Sequence, residues 1–232
     1  LMRRVPYPVA IITATDPTAS LSLSRSSSKT NPNPNNPKDK LQLPHAHAAR
    51  GMTVSSFNTV TLTPAPVVSF NVKRPSETLS ALRTSRRFLA HLLAPNRDTA
   101  ALARDFSRGN QNLGVLDARG VFGFEFVPSA ESESGSESGT GDLGLPMLRR
   151  RDQAQRSGRG HGDSEGGGGD DFSFILECRV HDQQVDVYDH TIVFGTVVRA
   201  LVGDSPGRFD GTPGEVSDLC LTYADTRFWK MG

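Results

Sequence analysis

The sequence is short of most of the features that announce a particular chemistry. Only two of its 232 residues are cysteine, Cys178 and Cys220. Neither belongs to a CxxC pair, which argues against a zinc ribbon or a redox dithiol. A disulfide between the two stays open, but a reducing compartment is the simpler reading; the setting is expected to be intracellular, cytoplasmic or mitochondrial, with nothing in the sequence to choose. Charge nearly cancels, with 26 Lys and Arg against 25 Asp and Glu for a net +1, so bulk electrostatics gives no reason to expect nucleic acid. No apolar run reaches the roughly 18 residues that a membrane helix needs. The six histidines show no metal-ligand spacing, so no metal site is expected. A GxSxG elbow, a P-loop and a GxGxxG between strand and helix are all missing. That argues against a Rossmann-type cofactor site, though not against a dinucleotide as substrate. The opening Leu-Met-Arg-Arg can be the remnant of a longer N-terminus, so a missing targeting peptide decides nothing.

Apolar residues are also scarce, at 36%, and the deficit is concentrated in two places. Residues 16–49 are rich in Ser, Pro and Asn, and residues 129–171 in Gly, Ser and acidic residues. Neither segment can bury enough apolar surface to offset its ordering entropy, so both are expected to be mobile insertions. The triplet Arg149, Arg150 and Arg151 falls in the second and reads as a solvated loop. About 155 residues remain, a normal size for one compact domain, so the whole of 1–232 is expected to be a single domain.

That remainder reads mainly as strands. Val5–Thr15, Val54–Leu62, Val67–Val72, Val121–Val127, Phe172–His181 and Thr191–Val202 are β-branched or alternating apolar runs. Six such runs separated by turn signals favour a closed or nearly closed barrel. Two helices interrupt them. Ser76 or Thr78 can cap one that carries Leu79 and Leu82 and ends near Arg86 and Arg87. Asn96 can cap another that carries Leu102 and Phe106 and stops at Gly109.

Three constellations carry chemistry, each with a plainer alternative. In Gly51-Met52-Thr53-Val54-Ser55-Ser56-Phe57, small hydroxylated residues after a glycine let a flat ring approach the backbone and receive hydrogen bonds. The plain reading is a Ser/Thr-rich edge strand. Lys73-Arg74-Pro75-Ser76-Glu77-Thr78 runs a strand into a capped helix start, which is a phosphate cradle with two cations, or simply a capped helix. Asp189-His190 stands at a strand mouth, where the imidazole can hydrogen-bond a ligand, or serve structure alone.

Taken in order, these segments resemble the flavin reductase-like, FMN-binding split-barrel family. The matching text is RRVPYPVAIITAT, GMTVSSFNTVTLTPAPVVSFNV, KRPSETLSALRTSRRFLAHLL and ALARDFSRG, then GLPML, ILECRV and YDHTIVFGTVV. The resemblance implies a mainly β fold, a Greek-key split barrel with a few short helices, into which this chain inserts the two long disordered segments. It implies FMN as cofactor, with NADH or NADPH as hydride donor, and a homodimer. Thr53, Val54, Ser55 and Ser56 would then lie along the isoalloxazine and ribityl chain, with Asn71 reaching the latter. Ser76 and Thr78 match the phosphate-binding positions, and His190 the histidine near the nicotinamide, with Asp189 beside it.

The chain departs from that pattern in three places. Tyr188 stands where the family often has glycine, and the insertions at 16–49 and 129–171 precede the flavin strand and surround GLPML. The activity implied is NAD(P)H-dependent flavin reduction. The alternatives are an FMN-binding protein without turnover that serves a structural or interaction role, and an FMN-dependent oxidase or oxygenase on the same barrel.

Overall fold

A computed structural model describes residues 5–19, 48–109, 121–130, 143–151, 171–201, 220–224 and 227–230. Twelve strands and two helices are ordered along these segments: β1 (Tyr7–Pro8), β2 (Ala10–Thr15), β3 (Ala49–Val54), β4 (Asn58–Thr61), β5 (Val67–Lys73), α1 (Glu77–Ser85), β6 (Arg87–Leu93), α2 (Arg97–Ser107), β7 (Phe122–Val127), β8 (Leu145–Arg150), β9 (Phe172–Val187), β10 (His190–Leu201), β11 (Leu221–Ala224) and β12 (Arg227–Lys230). The expected mainly β fold with a few short helices is what the chain forms. Seven strands make one antiparallel sheet in the order β3-β2-β6-β9-β10-β5-β4. Two smaller sheets, β1-β11-β12 and β7-β8, complete it.

The large sheet is strongly curled, and connectivity alone requires it. β3 and β4 occupy its opposite ends. Seven flat strands would hold those ends about 29 Å apart, at about 4.8 Å per strand. Yet only residues 55–57 join Val54 to Asn58, a span of at most about 14 Å. A hydrogen bond from the Asn71 amide to Ser56 Oγ at 2.8 Å ties this link back to β5. The sheet therefore nearly closes on itself.

Two apolar clusters fill the two sides of the wall. Ala10, Ile12, Val54, Phe57, Phe70, Val72, Phe88 and Val193 line the inside, covered by Leu79, Ala81 and Leu82 of α1. Ile11, Leu89 and Ile175 face outward against Leu102, Ala103 and Phe106 of α2 and against Phe122, Leu145 and Leu148 of the β7–β8 hairpin. β2 is consequently buried on both faces, which explains its unbroken AIITAT. The same double burial hid β6 from sequence reading. RFLAHLL shows no alternation, its Leu and Ala suit helices equally well, and it follows a helix directly.

Helix starts follow the expected chemistry. Ser76 Oγ accepts from the Leu79 amide, and Asn96 forms a reciprocal capping box with Thr99. Gly109, at φ 85°, lies just past α2.

Several sequence expectations need correction. The run expected as one strand over 54–62 is split, because the chain leaves one sheet edge at Val54 and enters the other at Asn58. GLPML and the arginines after it fall in a stretch whose composition predicts a mobile insertion, but Leu145–Arg150 is strand β8. Thr13 and Thr15 hold β8 on β2 by donating to the carbonyls of Pro146 and Gly144 at 2.7 and 2.5 Å. Arg150 is no solvated loop residue either. It grips Asp171 through two hydrogen bonds at 2.8 and 2.7 Å, donates to Asp98 at 2.8 Å, and lies over the Phe122 ring. A Gly-rich neighbourhood concealed an arginine whose partners lie 52 and 21 residues away in sequence. The remainder of both insertions, residues 20–47, 131–142 and 152–170, lies outside the described residues. The ends of the first are joined: Asp16 N–H donates to the Ala48 carbonyl at 2.7 Å, and Arg50 pairs with Asp16 at 3.0 Å. That insertion therefore leaves and re-enters at the turn of the β2–β3 hairpin.

Candidate functional site

Among the described residues β3 ends the large sheet, with its ladder to β2 on one edge and no described strand on the other. Its side chains alternate across the pleat. Thr53 and Ser55 turn toward α2, whereas Val54 points into the barrel core and is 4% exposed. A ligand along this edge can therefore meet the side chains of Thr53 and Ser55, but only the main chain of Val54. Thr53 Oγ1 donates to the Ala103 carbonyl at 2.7 Å, which fixes the strand against the last turns of α2.

Gly51 has a different role from the one the sequence suggested. A Cβ there would stand 2.5 Å from a ring carbon of Phe106. The flat ring admitted by this glycine is the protein's own. A Gly51→Ala change is expected to destabilise the fold by about 1–3 kcal/mol through overpacking against that ring, read as a lowered thermal midpoint.

Beyond Thr53 opens a cavity of about 500 Å³, lined by Val9, Thr53, Ser55, Arg104, Ser107, Tyr223, Arg227 and Phe228. Its size falls within the range of about 300–1,000 Å³ for small-molecule sites. Sequence reasoning found Thr53 and Ser55 and missed the other polar and aromatic walls. These come from the far end of α2 and from the C-terminal β11–β12 hairpin, and only the fold brings them together. The available signal was TYADTRFWK at 222–230, in which aromatics and cations crowd one short hairpin.

The other expected residues gather at the opposite sheet edge. Ser56 is tied to Asn71, and Asn71 lies on β5 two residues before Lys73, which pairs with His190 on β10. His190 Nδ1 donates to Asp189 Oδ1 at 2.7 Å, and Lys73 Nζ stands 3.7 Å from the other carboxylate oxygen. That hydrogen bond from His190 holds the Asp189 carboxyl below its ordinary range. Asp189 in turn sets which imidazole nitrogen carries the proton, presenting Nε2 outward. Ser76 follows as the α1 cap, with its Oγ already accepting from Leu79. Thr78 is 2% exposed, so its side chain faces the core while its main chain stays at the helix start. Arg74, expected beside a phosphate, is engaged by the Asp186 carboxylate and the Tyr188 carbonyl.

Comparison with known proteins decides the family. Residues 2–154, about two thirds of the chain, match the model of the flavin reductase like domain. The chain belongs to that family. The match ends before the segment around His190, whose resemblance rests on sequence order and its place on β10. Solved structures share the fold at low identity. Flavin reductase HpaC, solved with NADP+, is 18% identical at a TM-score of 0.54, over 99% of this chain and 93% of its own. The NADH:FAD oxidoreductase SgcE6 of Streptomyces globisporus C-1027, solved with NAD and FAD fragments, is 18% identical at 0.55, over 100% and 88%. The styrene monooxygenase flavin reductase of Pseudomonas putida S12 is 16% identical at 0.52, over 100% and 94%.

Within this flavin reductase-like chain, the Tyr188 departure has a local consequence. Tyr188 and Asp189 form the two-residue turn between β9 and β10, and Tyr188 sits at φ 50° with its side chain 97% exposed. That backbone region suits glycine and costs another residue about 1–2 kcal/mol. Both cysteines are free, with no disulfide between them. Burial pushes the Cys178 thiol well above its usual range, so it is inert.

Proposed function

We propose that this protein is an NAD(P)H-dependent flavin reductase that binds FMN along β3, the end strand of the seven-stranded sheet. The observation that carries the reading is the cavity beside Thr53 and Ser55, within the segment that matches the family. The residues there fit a flavin nucleotide: the end strand of the described sheet, the hydroxyls of Ser55 and Ser107, two guanidiniums and aromatic walls. The curled seven-stranded sheet is read as the split barrel of the family.

Thr53, Ser55, Ser56 and the main chain of Val54 would hold the ring system and Asn71 the ribityl chain. Ser76 and the Thr78 amide at the start of α1 would meet the phosphate. Bound flavin supplies the chemistry, accepting a hydride from the nicotinamide of NADH or NADPH and passing the electrons on. The protein's work is positioning, because holding two rings in contact accounts for most of the required acceleration. Hydroxyl and N–H donors along residues 53–56 stabilise negative charge on the ring edge they face. His190, oriented by Asp189, presents Nε2 to the nicotinamide carboxamide. Replacing His190 by Ala is expected to lower kcat/KM for the nicotinamide about tenfold, the worth of one such hydrogen bond, with FMN affinity within about twofold of the parent. An unchanged rate of NAD(P)H oxidation would remove this role.

A homodimer is supported by the far end of β9, where Val185 and Val187, two residues apart on one face of the strand, are 47 and 44% exposed. Exposed apolar side chains side by side on a strand favour burial against a second surface. Sedimentation should give twice the 25.0 kDa chain mass, and a Val185→Lys, Val187→Lys variant should sediment as the monomer.

The direct test is optical. The purified protein should be yellow or become so with FMN, and anaerobic NADH or NADPH should bleach it. A yellow protein that neither nucleotide bleaches would mark a flavin-binding protein without turnover. A protein that takes up no FMN would overturn the reading.

A further inference from the structure

The cavity carries more than a flavin ring edge requires. Arg104 and Arg227 both line it, from α2 and from β12, and among the described residues neither has a carboxylate partner. Six other described arginines, Arg50, Arg74, Arg86, Arg149, Arg150 and Arg199, are in ion pairs, but these two share a cavity. Two like charges left facing one concave space repel each other unless an anion joins them.

The remaining walls select the kind of anion. Tyr223 and Phe228 lie opposite each other across β11 and β12, with ring centres 5.3 Å apart. Arg104 stands over the Phe228 ring at 5.6 Å. Ser55 and Ser107 add hydroxyls at the rim. Paired guanidiniums match phosphate oxygens in fork geometry, and an aromatic wall offers a heterocycle its apolar face. A phosphate attached to a flat ring meets both demands, which neither a free inorganic ion nor an uncharged aromatic does.

We propose that the cavity between α2 and the β11–β12 hairpin is a nucleotide phosphate site, with Arg104 and Arg227 holding the phosphate and the packed pair Tyr223 and Phe228 forming an aromatic wall beside the attached heterocycle. This rests on the flavin reductase reading above and adds to it a phosphate site apart from the start of α1, where that reading puts the FMN phosphate. The C-terminal hairpin, beyond the family match, thereby becomes part of the binding machinery. Two sources share this chemistry: the phosphates of the nicotinamide dinucleotide, and the FMN phosphate if it lies here instead of at Ser76 and Thr78.

The experiment compares the full chain with Arg104→Gln/Arg227→Gln, Arg104→Lys/Arg227→Lys, and Arg97→Gln as a control on the exposed start of the same helix. FMN and riboflavin binding are measured by flavin fluorescence, KM for NADH and NADPH by steady-state rates, and AMP binding by calorimetry. If the flavin phosphate is the ligand, the double Gln variant loses at least about tenfold in FMN affinity while riboflavin stays within about twofold. If the dinucleotide is the ligand, the KM for NAD(P)H rises by a similar factor with FMN affinity unchanged. In either case the double Lys variant recovers part of the loss, Arg97→Gln changes nothing, and AMP competes with the affected ligand. Equal FMN affinity, equal KM and equal AMP binding in the parent and the double Gln variant would overturn the proposal. Failure of the parent to bind flavin or oxidise NAD(P)H would instead defeat the reductase reading. AMP binding by the parent, lost in the double Gln variant, would then still uphold the phosphate site, and its absence would reject that too.

Discussion

Truncating Glu177 to Ala is expected to lower the stability of the fold by about 3 kcal/mol or more, the range found when one partner of a buried ion pair is removed. Glu177 is 1% exposed in the middle of β9. One carboxylate oxygen accepts from Arg199 Nε and Nη2 at 3.0 and 2.8 Å, and the other from the Ala130 amide at 3.0 Å. Arg199 also donates to the Pro128 carbonyl at 3.0 Å. This one carboxylate therefore fastens the end of β7 to the barrel wall. Its loss strands a guanidinium and a main-chain donor together. Arg199 is partly exposed and can recover some hydration, which places the effect toward the lower end of the range. The measurement is the urea midpoint at constant slope. A Glu177→Leu, Arg199→Leu double variant should recover most of the loss, because it removes both charges at once. A single variant as stable as the parent would show that the pair contributes nothing net.

Acid should unfold this protein through one histidine in particular. His91 is fully buried on β6, where Nδ1 donates to the Ile11 carbonyl at 3.2 Å and Nε2 accepts from the Leu148 amide at 3.1 Å. The ring joins β2, β6 and β8 only as the neutral tautomer, since a proton on Nε2 would oppose the Leu148 N–H. Burial depresses its pKa to about 4 from 6.5, against a smaller opposing contribution from the Ile11 carbonyl. The unfolded chain thus binds the extra proton more readily than the folded one. The stabilising difference is fully present above pH 6.5 and is lost as pH falls toward 4. At 1.36 kcal/mol per pH unit the loss over that window is about 3 kcal/mol. A His91→Gln variant should show a flatter pH profile of its thermal midpoint between 6.5 and 4. An identical slope in variant and parent would show that other groups govern the acid transition.

The parts legible from sequence were those with local causes. Ser76 and Asn96 fixed two helix starts because a cap needs only its own first turn. β5, β7 and the long β9–β10 pair showed themselves by alternation or β-branched runs. β6 did not, because burial on both faces erases the alternation. β8 was hidden by its composition, since it lies between Gly-rich stretches and gains its order from Thr13, Thr15 and His91 far upstream. The same division runs through the site. Thr53 and Ser55 are readable as a hydroxylated strand, and Asp189-His190 as adjacent residues. Arg104, Tyr223, Arg227 and Phe228 become neighbours only when α2 and the C-terminal hairpin meet. Gly51 was singled out correctly for a close approach, but pattern alone names no partner, and the partner is Phe106.

The strand order has a consequence for how the molecule comes into being. β9 and β10 lie in the middle of the seven-stranded sheet, with β6 on one side and β5 on the other, although both follow residue 154, where the family match stops. During synthesis β5 and β6 leave the ribosome with the partners that separate them still unmade. The early half of the chain therefore waits with two open sheet edges, and edges of this kind invite pairing with other chains. The barrel can shut only after Leu201 has emerged. What is most recognisable in the sequence is thus not a unit that can be separated, and the interval before closure is when the nascent chain is most exposed to misassembly.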